Sequence, residues 1–287
     1  MHAPTTKVPM YRLLRAIRQH SDWFRMACMA CAVSLPWLLS THVWAQNNTA
    51  SRSITVSAAA SLTNAFKDLA VDFEASHPGV KVQLQFAASD VLLAQIAKGA
   101  PVDAFASADQ DTMDKAQEQQ LLMAGTRRTF ARNTLVLITP INPSVVVKTP
   151  QDLQRNAVQR FAMGKPETVP AGRYTQNALQ ASGLWPAVQA KAIYAQNVRQ
   201  ALDYVARGEV EAGFVYGSDA VALRDKVQAV ATVPTPQAIL YPVALVKNST
   251  TTPAADQARA ALAQQWLDYV TSPSAWPVLQ RYGFSRP

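Results

Sequence analysis

Residues 54–63 read ITVSAAASLT, and this stretch carries the pattern from which the fold is predicted. Ile54, Thr55 and Val56 favour a strand, and three alanines then lead to Ser61. Apolar residues recur at spacings of three and four after that point: Leu62, Ala65, Phe66, Leu69 and Phe73. Because that spacing places them on one helix face, the stretch predicts a strand that passes directly into a helix, with Ser61 at the junction.

The same alternation of strand and helix continues along the chain. Further strands are predicted at residues 80–86, 103–107, 135–138, 212–216 and 241–246. Further helices are predicted at residues 90–98, 109–122, 174–181, 198–207 and 254–270. Strands that alternate with helices favour an α/β fold with mostly parallel sheets and helices on both faces. No internal repeat and no flexible Gly/Ser linker divides the chain.

The N-terminal segment has the order of a secretory signal. Residues 1–25 are basic, residues 26–39 form an apolar run, and the small residue Ala45 follows as a cleavage point. The apolar run is shorter than the roughly 20 residues that span a bilayer as a helix. We therefore expect residues 1–45 to be a signal peptide and the mature protein to be soluble in the periplasm. An N-terminal membrane anchor is the alternative.

Cysteine and histidine usage excludes several kinds of chemistry. Cys28 and Cys31, the only cysteines, lie in the leader, and among the four histidines only His77 follows it. A mature chain without thiols has no disulfides, thiolate metal sites or cysteine nucleophile. A single histidine cannot form a multi-histidine metal site.

The charge of the chain does not favour nucleic acid as a partner. The net charge is +8, and half of it belongs to residues 1–45. The remainder is scattered rather than gathered in a basic patch. With 49% hydrophobic and 16% charged residues, the chain is globular and long enough for a large core.

Small or hydroxyl residues stand at several predicted strand-to-helix junctions. Ser61 and Ser89 each follow an alanine run, while Ala171 and Val198 lie where later helices open, and Tyr216 ends a strand. A helix start has unpaired N–H groups and a partial positive charge, so several starts directed at one point would form an anion site without cationic side chains. Taken singly, the serines are equally well helix caps, and Tyr216 a core residue.

Several segments together resemble one family, the periplasmic molybdate-binding proteins of ABC importers. They are ITVSAAASLT (54–63), GAPVD (99–103), SAD (107–109), VPAGRY (169–174), NVRQAL (197–202), VYGSDA (215–220) and RYGF (281–284). The resemblance implies a type II periplasmic-binding-protein fold, in which two lobes close about a hinge. It places lobe I at residues 50–134 and 240–287, and lobe II at residues 135–239.

The resemblance also implies the ligand and its contacts. The hydroxyls of Ser61, Ser89 and Tyr216 and the backbone amides of Ala171 and Val198 match the family's contact positions. They would hold molybdenum as the molybdate oxyanion, and tungstate in the same way. The family further implies delivery to the membrane permease of an ABC importer, no catalysis and no cofactor besides the ligand. We expect a monomer without a nucleic acid partner.

Three alternatives remain open from the sequence. The same fold could bind another tetrahedral oxyanion, such as sulfate. A secreted hydrolase would use Ser61 or Ser89 as nucleophile with His77 as base, although no nucleophile-elbow motif is present. A general interaction module would show repeats or an exposed apolar patch. One departure from the family is Asp90, whose carboxylate would repel an anion unless it points away from the site, as we expect.

Overall fold

The computed structural model describes residues 52–247 and 253–287. The predicted signal peptide at residues 1–45, with both cysteines and the cleavage point at Ala45, lies outside the described residues. None of the helices in the described ranges is long and apolar enough to cross a bilayer.

Ten strands and nine α-helices make up the described chain. The strands are β1 (Arg52–Ala59), β2 (Val80–Ala87), β3 (Ala104–Ala106), β4 (Arg128–Asn133), β5 (Leu135–Pro140), β6 (Phe161–Gly164), β7 (Ala192–Ala195), β8 (Ala212–Tyr216), β9 (Val227–Val233) and β10 (Ile239–Leu245). The helices are α1 (Thr63–Ser76), α2 (Ser89–Ala97), α3 (Gln110–Glu118), α4 (Pro170–Ala181), α5 (Trp185–Val188), α6 (Val198–Ala206), α7 (Gly217–Ala222), α8 (Pro253–Val270) and α9 (Trp276–Arg281).

The strands form two five-stranded sheets, in the orders β2-β1-β3-β10-β4 and β7-β6-β8-β5-β9. The predicted α/β class, with helices packed on two sheets, is confirmed. Each sheet is mixed, however, with two parallel and two antiparallel pairings, where the pattern predicted mostly parallel sheets. A strand that enters from the other sheet needs no crossover helix and is free to run antiparallel.

The chain passes between the sheets at two points. Only Thr134 separates β4 in the first sheet from β5 in the second, and residues 234–238 join β9 to β10. The first sheet therefore draws its strands from residues 52–133 and 239–245, and the second from residues 135–233. The division into two lobes that move about a hinge, with the boundaries given above, stays a prediction.

The predicted elements are present, but several boundaries shift, and four strands and the short helices α5, α7 and α9 were not predicted. Helix α4 begins at Pro170 instead of residue 174, because proline suits the first helical position. Helix α3 ends at Glu118 because Gln120 takes a left-handed φ of 56°. The missed strands are β4, β6, β7 and β9. They are short or lie at sheet edges, and their sequences show little of the alternation that marks a strand.

Aromatic residues of α1 and α8 pack in the core of the first sheet. Trp266 is fully buried and meets the rings of Phe66 and Phe73 edge-on, at centroid distances of 5.8 and 5.3 Å. This packing holds α1 in place, and α1 follows the junction that carries Ser61. The core thereby positions one wall of the cavity described next.

Candidate functional site

The five residues that the sequence singles out line one cavity. The space between its lining atoms, together with the open solvent at its mouth, measures about 200 Å³. The lining residues are Ala59, Ala60, Ser61, Ala87, Ala88, Ser89, Ala108, Val169, Pro170, Ala171, Val198 and Tyr216. They come from both sheets, so the cavity lies where the ends of the two sheets face each other.

Parallel pairing of β1 and β2 brings the two serines together. The strands are in register from Arg52↔Val80 to Ala59↔Ala87, so both end at the same edge of the first sheet. A short 3₁₀ turn, Ala60–Leu62, then carries Ser61, and α2 begins at Ser89. Ligands of α/β proteins bind at such carboxyl ends of strands. The alanines around each serine leave room for an atom to approach the backbone.

The same geometry in the second sheet places the two amides. Strands β6 and β7 are parallel, with Gly164 opposite Ala195, and the helices that follow them begin at Pro170 and Val198. The first N–H groups of a helix have no partner within it. Those of Ala171 and Val198 therefore lie at the cavity with their donor capacity unused by the helix.

Helix α4 approaches its strand so closely that glycine is required at Gly172. A Cβ there would lie 2.1 Å from the carbonyl oxygen of Gly164, a distance that no side chain tolerates. Gly172 thus lets the N-terminus of α4 rest against the end of β6. This contact positions the amide of Ala171, the preceding residue.

Tyr216 closes the cavity from the second sheet. It is the last residue of β8 and the residue before α7, and its hydroxyl lies 3.5 Å from the carbonyl oxygen of Ala108. Complete burial raises the pKa of Tyr216 well above its ordinary value, with the neighbouring Tyr241 adding to the shift. The phenol therefore keeps its hydrogen at neutral pH and can donate it.

Ser89 is also arranged as a donor. Its Oγ accepts the N–H of Ala108 at 3.0 Å, and its side chain is completely buried. Since this oxygen is occupied as an acceptor toward the protein, the hydroxyl hydrogen is free to point into the cavity. The groups that face the cavity from the described chain are thus hydroxyl and amide donors among apolar side chains.

No lysine or arginine lines this cavity, although two arginines flank it. Arg173 of α4 bridges to Asp90 at 2.7 Å and to Asp109 at 2.5 Å. Arg199 of α6 pairs with Asp219 at 2.6 Å and donates to Asn64 at 2.7 Å. Both guanidinium groups are committed to side chains of the protein, so positive charge in the cavity comes from the helix N-termini that surround it.

Asp90 points away from the cavity, as expected, but it does not face solvent. Its side chain is 13% exposed and binds Arg173, Lys115 at 3.1 Å and Thr112 at 3.1 Å. Burial disfavours the ionised form, but the charges and hydrogen bonds of Arg173 and Lys115 outweigh it and lower the pKa of Asp90. The carboxylate is therefore neutralised by its partners rather than by water, and does not oppose an anion.

These features select the chemical class of the ligand. The centre of a water-sized sphere has only about 10 Å³ available in this cavity, against about 300–1,000 Å³ in cavities for organic ligands, so the cavity suits a small ion rather than an organic molecule. Donors without acceptors suit an anion whose oxygens carry no hydrogen. Within residues 52–247 and 253–287, no three His, Cys, Asp or Glu side chains are grouped to hold a metal cation.

The arrangement required by a serine hydrolase is not formed. His77 follows α1, where its Nδ1 lies 2.9 Å from the carbonyl oxygen of Phe73 and its ring stacks on the Phe73 ring at 4.1 Å. His77 does not line the cavity, and it hydrogen-bonds to neither Ser61 nor Ser89. Neither serine has the adjacent base that would activate it.

Sequence reasoning missed several residues that shape the site. Arg173, Asp109, Asn133 and Tyr241 hold the cavity walls through contacts between distant segments. The alanines at positions 59, 60, 87, 88 and 108 form the walls themselves. Four of these alanines belong to the runs before Ser61 and Ser89 that the sequence already points out, whereas the polar pairings have no local signal.

Comparison with known proteins identifies the family that this chain resembles. The family model described as bacterial extracellular solute-binding protein matches residues 54–285. The molybdate-binding protein ModA of Escherichia coli (strain K12) is 41% identical over 239 residues, which cover 81% of this chain and 88% of ModA.

Two solved structures extend the comparison. The Azotobacter vinelandii periplasmic molybdate-binding protein has a TM-score of 0.68 at 26% identity, covering 82% of this chain and 99% of that one. The sulfate-binding protein SubI of Mycobacterium tuberculosis H37Rv has a TM-score of 0.66 at 18% identity, covering 82% and 86%. The SubI likeness shows a shared fold alone.

Proposed function

From the premise that this chain belongs to the bacterial extracellular solute-binding protein family and to the relatives of ModA, we propose that it captures molybdate. The observation that carries the proposal is the cavity in which Ser61, Ser89 and Tyr216 meet two helix N-termini without a cationic side chain. In this proposal the hydroxyls of those residues and the amides of Ala171 and Val198 hold the oxyanion.

The chemistry of molybdate matches these donors. At neutral pH it is a fully deprotonated tetrahedral dianion, so each oxygen can only accept hydrogen bonds. Monohydrogen phosphate carries a proton that needs an acceptor, and the cavity directs hydroxyl and amide hydrogens at its contents. Tungstate has nearly the size and the same charge as molybdate, so we propose that it binds comparably.

Sulfate is the second candidate, because it too is an unprotonated tetrahedral dianion and the donor set accepts it equally well. Only size separates the two, since the bonds of sulfate are shorter. A sulfate ion in a cavity shaped for molybdate cannot reach all donors at once. We therefore propose molybdate as the physiological ligand.

The proposal also covers the cellular location of the protein and its partner in transport. The family description is extracellular, and residues 1–45 have the pattern of an export signal, so we place the mature protein in the periplasm. There it would act as a monomer that closes its two lobes on the anion and delivers it to the permease of an ABC importer. The proposal involves no catalysis, no nucleic acid and no cofactor besides the ligand.

Titration of the mature chain with four anions tests this function. Native mass spectrometry should show one molybdate or one tungstate per chain. Calorimetry should give similar affinities for these two and a weaker one for sulfate, because of its size. Monohydrogen phosphate serves as the protonated control and should bind weakest. Tightest binding of sulfate would favour the second candidate, and binding of none of the four anions would refute an oxyanion site.

The contact proposed for the Val198 amide can be tested without removing a side-chain donor. Val198→Pro should weaken molybdate binding about 10- to 150-fold, the effect of losing one hydrogen bond to a charged partner. Proline is well tolerated at the first helical position, and Asn197 before it is extended, with φ −157° and ψ 170°. Calorimetry measures the affinity, and thermal unfolding should change little.

Val198→Ala is the matched control for that variant. It shortens the same buried side chain but keeps the N–H group, so molybdate affinity should stay near the wild-type value. Equal losses of affinity in the alanine and proline variants would show that packing, rather than the amide, is what the anion requires at this position.

A further inference from the structure

A chain of buried hydrogen bonds reaches the cavity through Asn133, Tyr241 and Ser61. Asn133 ends β4, Tyr241 lies in β10, and Ser61 follows β1. Their side chains are at most 4% exposed, and only Ser61 lines the cavity. The other two therefore act on any ligand only through Ser61.

The orientation of the Asn133 amide follows from its backbone partners. Its Oδ1 accepts the N–H of Thr134 at 2.9 Å and the N–H of Ser218 at 3.4 Å. Nδ2 therefore points to the opposite side, where it donates to Ser218 Oγ at 2.8 Å and to the Tyr241 hydroxyl at 3.2 Å. The Tyr241 oxygen is consequently an acceptor toward Asn133.

The direction of the next hydrogen bond follows from that one. Tyr241 has a single hydroxyl hydrogen, which cannot point at the donating Nδ2 group. Its other hydrogen-bond partner in the described chain is Ser61 Oγ, at 2.9 Å. Burial raises the pKa of Tyr241 well above its ordinary value, so the phenol stays protonated. Tyr241 therefore donates to Ser61, and the hydrogen of Ser61 is left to point into the cavity.

We propose that Tyr241, oriented by Asn133, is a positioning residue that compels Ser61 to donate into the cavity and so selects tetrahedral anions without a proton over those that carry one. This inference rests on the proposed function, since it concerns the same cavity. A protonated oxygen facing Ser61 would have to donate to it. Either the Ser61 hydrogen or the Tyr241 hydrogen would then lose its acceptor, and a buried donor without a partner is costly.

Asn133→Asp tests the inference because it reverses the direction of the hydrogen bonds in this chain. The introduced carboxylate keeps the acceptor for the backbone N–H groups but accepts from Tyr241 instead of donating to it. Tyr241 can then accept from Ser61, and Ser61 can accept from a protonated anion. We expect the preference for molybdate over monohydrogen arsenate to shrink about 5- to 150-fold.

Calorimetry at mildly alkaline pH measures both affinities, with displacement of molybdate used where arsenate binds weakly. There arsenate is the monohydrogen dianion, and the N–H groups of Thr134 and Ser218 favour the ionised form of the introduced carboxylate. The added negative charge weakens both dianions alike, so the ratio of affinities isolates the direction of the hydrogen bonds. Selenate is unprotonated and close to arsenate in size. Its affinity relative to molybdate should not change, which separates proton selection from size selection.

Tyr241→Phe is the companion variant, and it interrupts the chain of hydrogen bonds without adding charge. We expect molybdate binding to weaken about 2- to 10-fold, because Ser61 loses the group that orients it, and arsenate binding to weaken less, because Ser61 is no longer compelled to donate. A folded Asn133→Asp protein whose preference for molybdate over monohydrogen arsenate is unchanged would overturn the inference. If Asn133→Asp does not fold, full molybdate affinity in Tyr241→Phe would overturn it instead. Failure of the wild-type chain to bind molybdate would instead refute the proposed function.

Discussion

The chain that carries both Ser61→Ala and Ser89→Ala should lose molybdate affinity by a factor of at least about 100. In the proposed site each hydroxyl donates to a doubly charged partner, a hydrogen bond worth about 1.5–3 kcal/mol, and the two serines would contact the anion from neighbouring strand ends. If the two losses add, the double variant loses about 3–6 kcal/mol, which corresponds to roughly 10²- to 10⁴-fold. Calorimetry on the double variant and on each single variant measures both the total and its additivity.

Ser76→Ala is the control for the serine variants. Ser76 is exposed, and its hydroxyl donates to the carbonyl oxygen of Phe73 at the end of α1, outside the cavity. Its removal should leave molybdate affinity unchanged. Tyr216→Phe should weaken binding as much as a single serine variant does. Wild-type affinity in the double variant would show that the anion binds elsewhere.

Arg173→Met should weaken both the folded structure and its anion site. The substitution leaves Asp109, which is 2% exposed, and Asp90 without their shared cation. Removing one partner of a fully buried ion pair costs about 3–5 kcal/mol. Because the Arg173 side chain is 20% exposed, we expect about 2–4 kcal/mol, or roughly 4–16 °C in Tm. Thermal unfolding measures the shift, and calorimetry should show at least a tenfold weaker molybdate affinity, since uncompensated carboxylates beside the cavity repel a dianion.

Arg128→Met is the matched control, because Arg128 pairs with Asp268 at 2.8 Å on the surface, where the two side chains are 44% and 53% exposed. Such a pair contributes little, so Tm should change by at most a few degrees. If Arg173→Met and Arg128→Met shift Tm equally, the bridge between α4 and the two aspartates is only a surface contact.

The pH dependence of stability should differ between the wild type and Arg173→Met. The pKa of Asp90 is lowered in the folded chain, so its ion pairs stabilise the fold above the ordinary pKa of an aspartate. That contribution is lost as the pH falls through the lowered pKa. Without Arg173, Asp90 loses the charge that contributes most to lowering its pKa. The variant should therefore lose less stability than the wild type between neutral and acid pH.

Much of the site could be predicted from local sequence alone. Ser61, Ser89, Ala171 and Val198 stand at or near the starts of helices that follow strands, and these junctions are visible as short-range patterns of apolar, small and hydroxyl residues. Because parallel strands end at a common edge, such junctions are expected to meet. The resemblance to a known family selected them from the many ordinary helix caps.

Strand direction and long-range pairing could not be predicted in this way. The local sequences of β4 and β9 do not reveal that each strand runs antiparallel to its neighbour, because direction depends on where the chain crosses between the sheets. In the same way, no local pattern pairs Arg173 with Asp90, which lies 83 positions away along the chain.

The sequence by itself therefore determined the alternation of elements, the chemistry of the junctions and the absence of thiols after residue 31, since all three are properties of neighbouring residues or of composition. Only the tertiary structure decided that the junctions enclose one cavity, that Asp90 is neutralised, and that Asn133 and Tyr241 set the direction of the Ser61 hydroxyl. The physical reason is that hydrogen bonds and ion pairs act over a few ångströms in space, and folding brings those atoms together from segments that lie far apart in the chain.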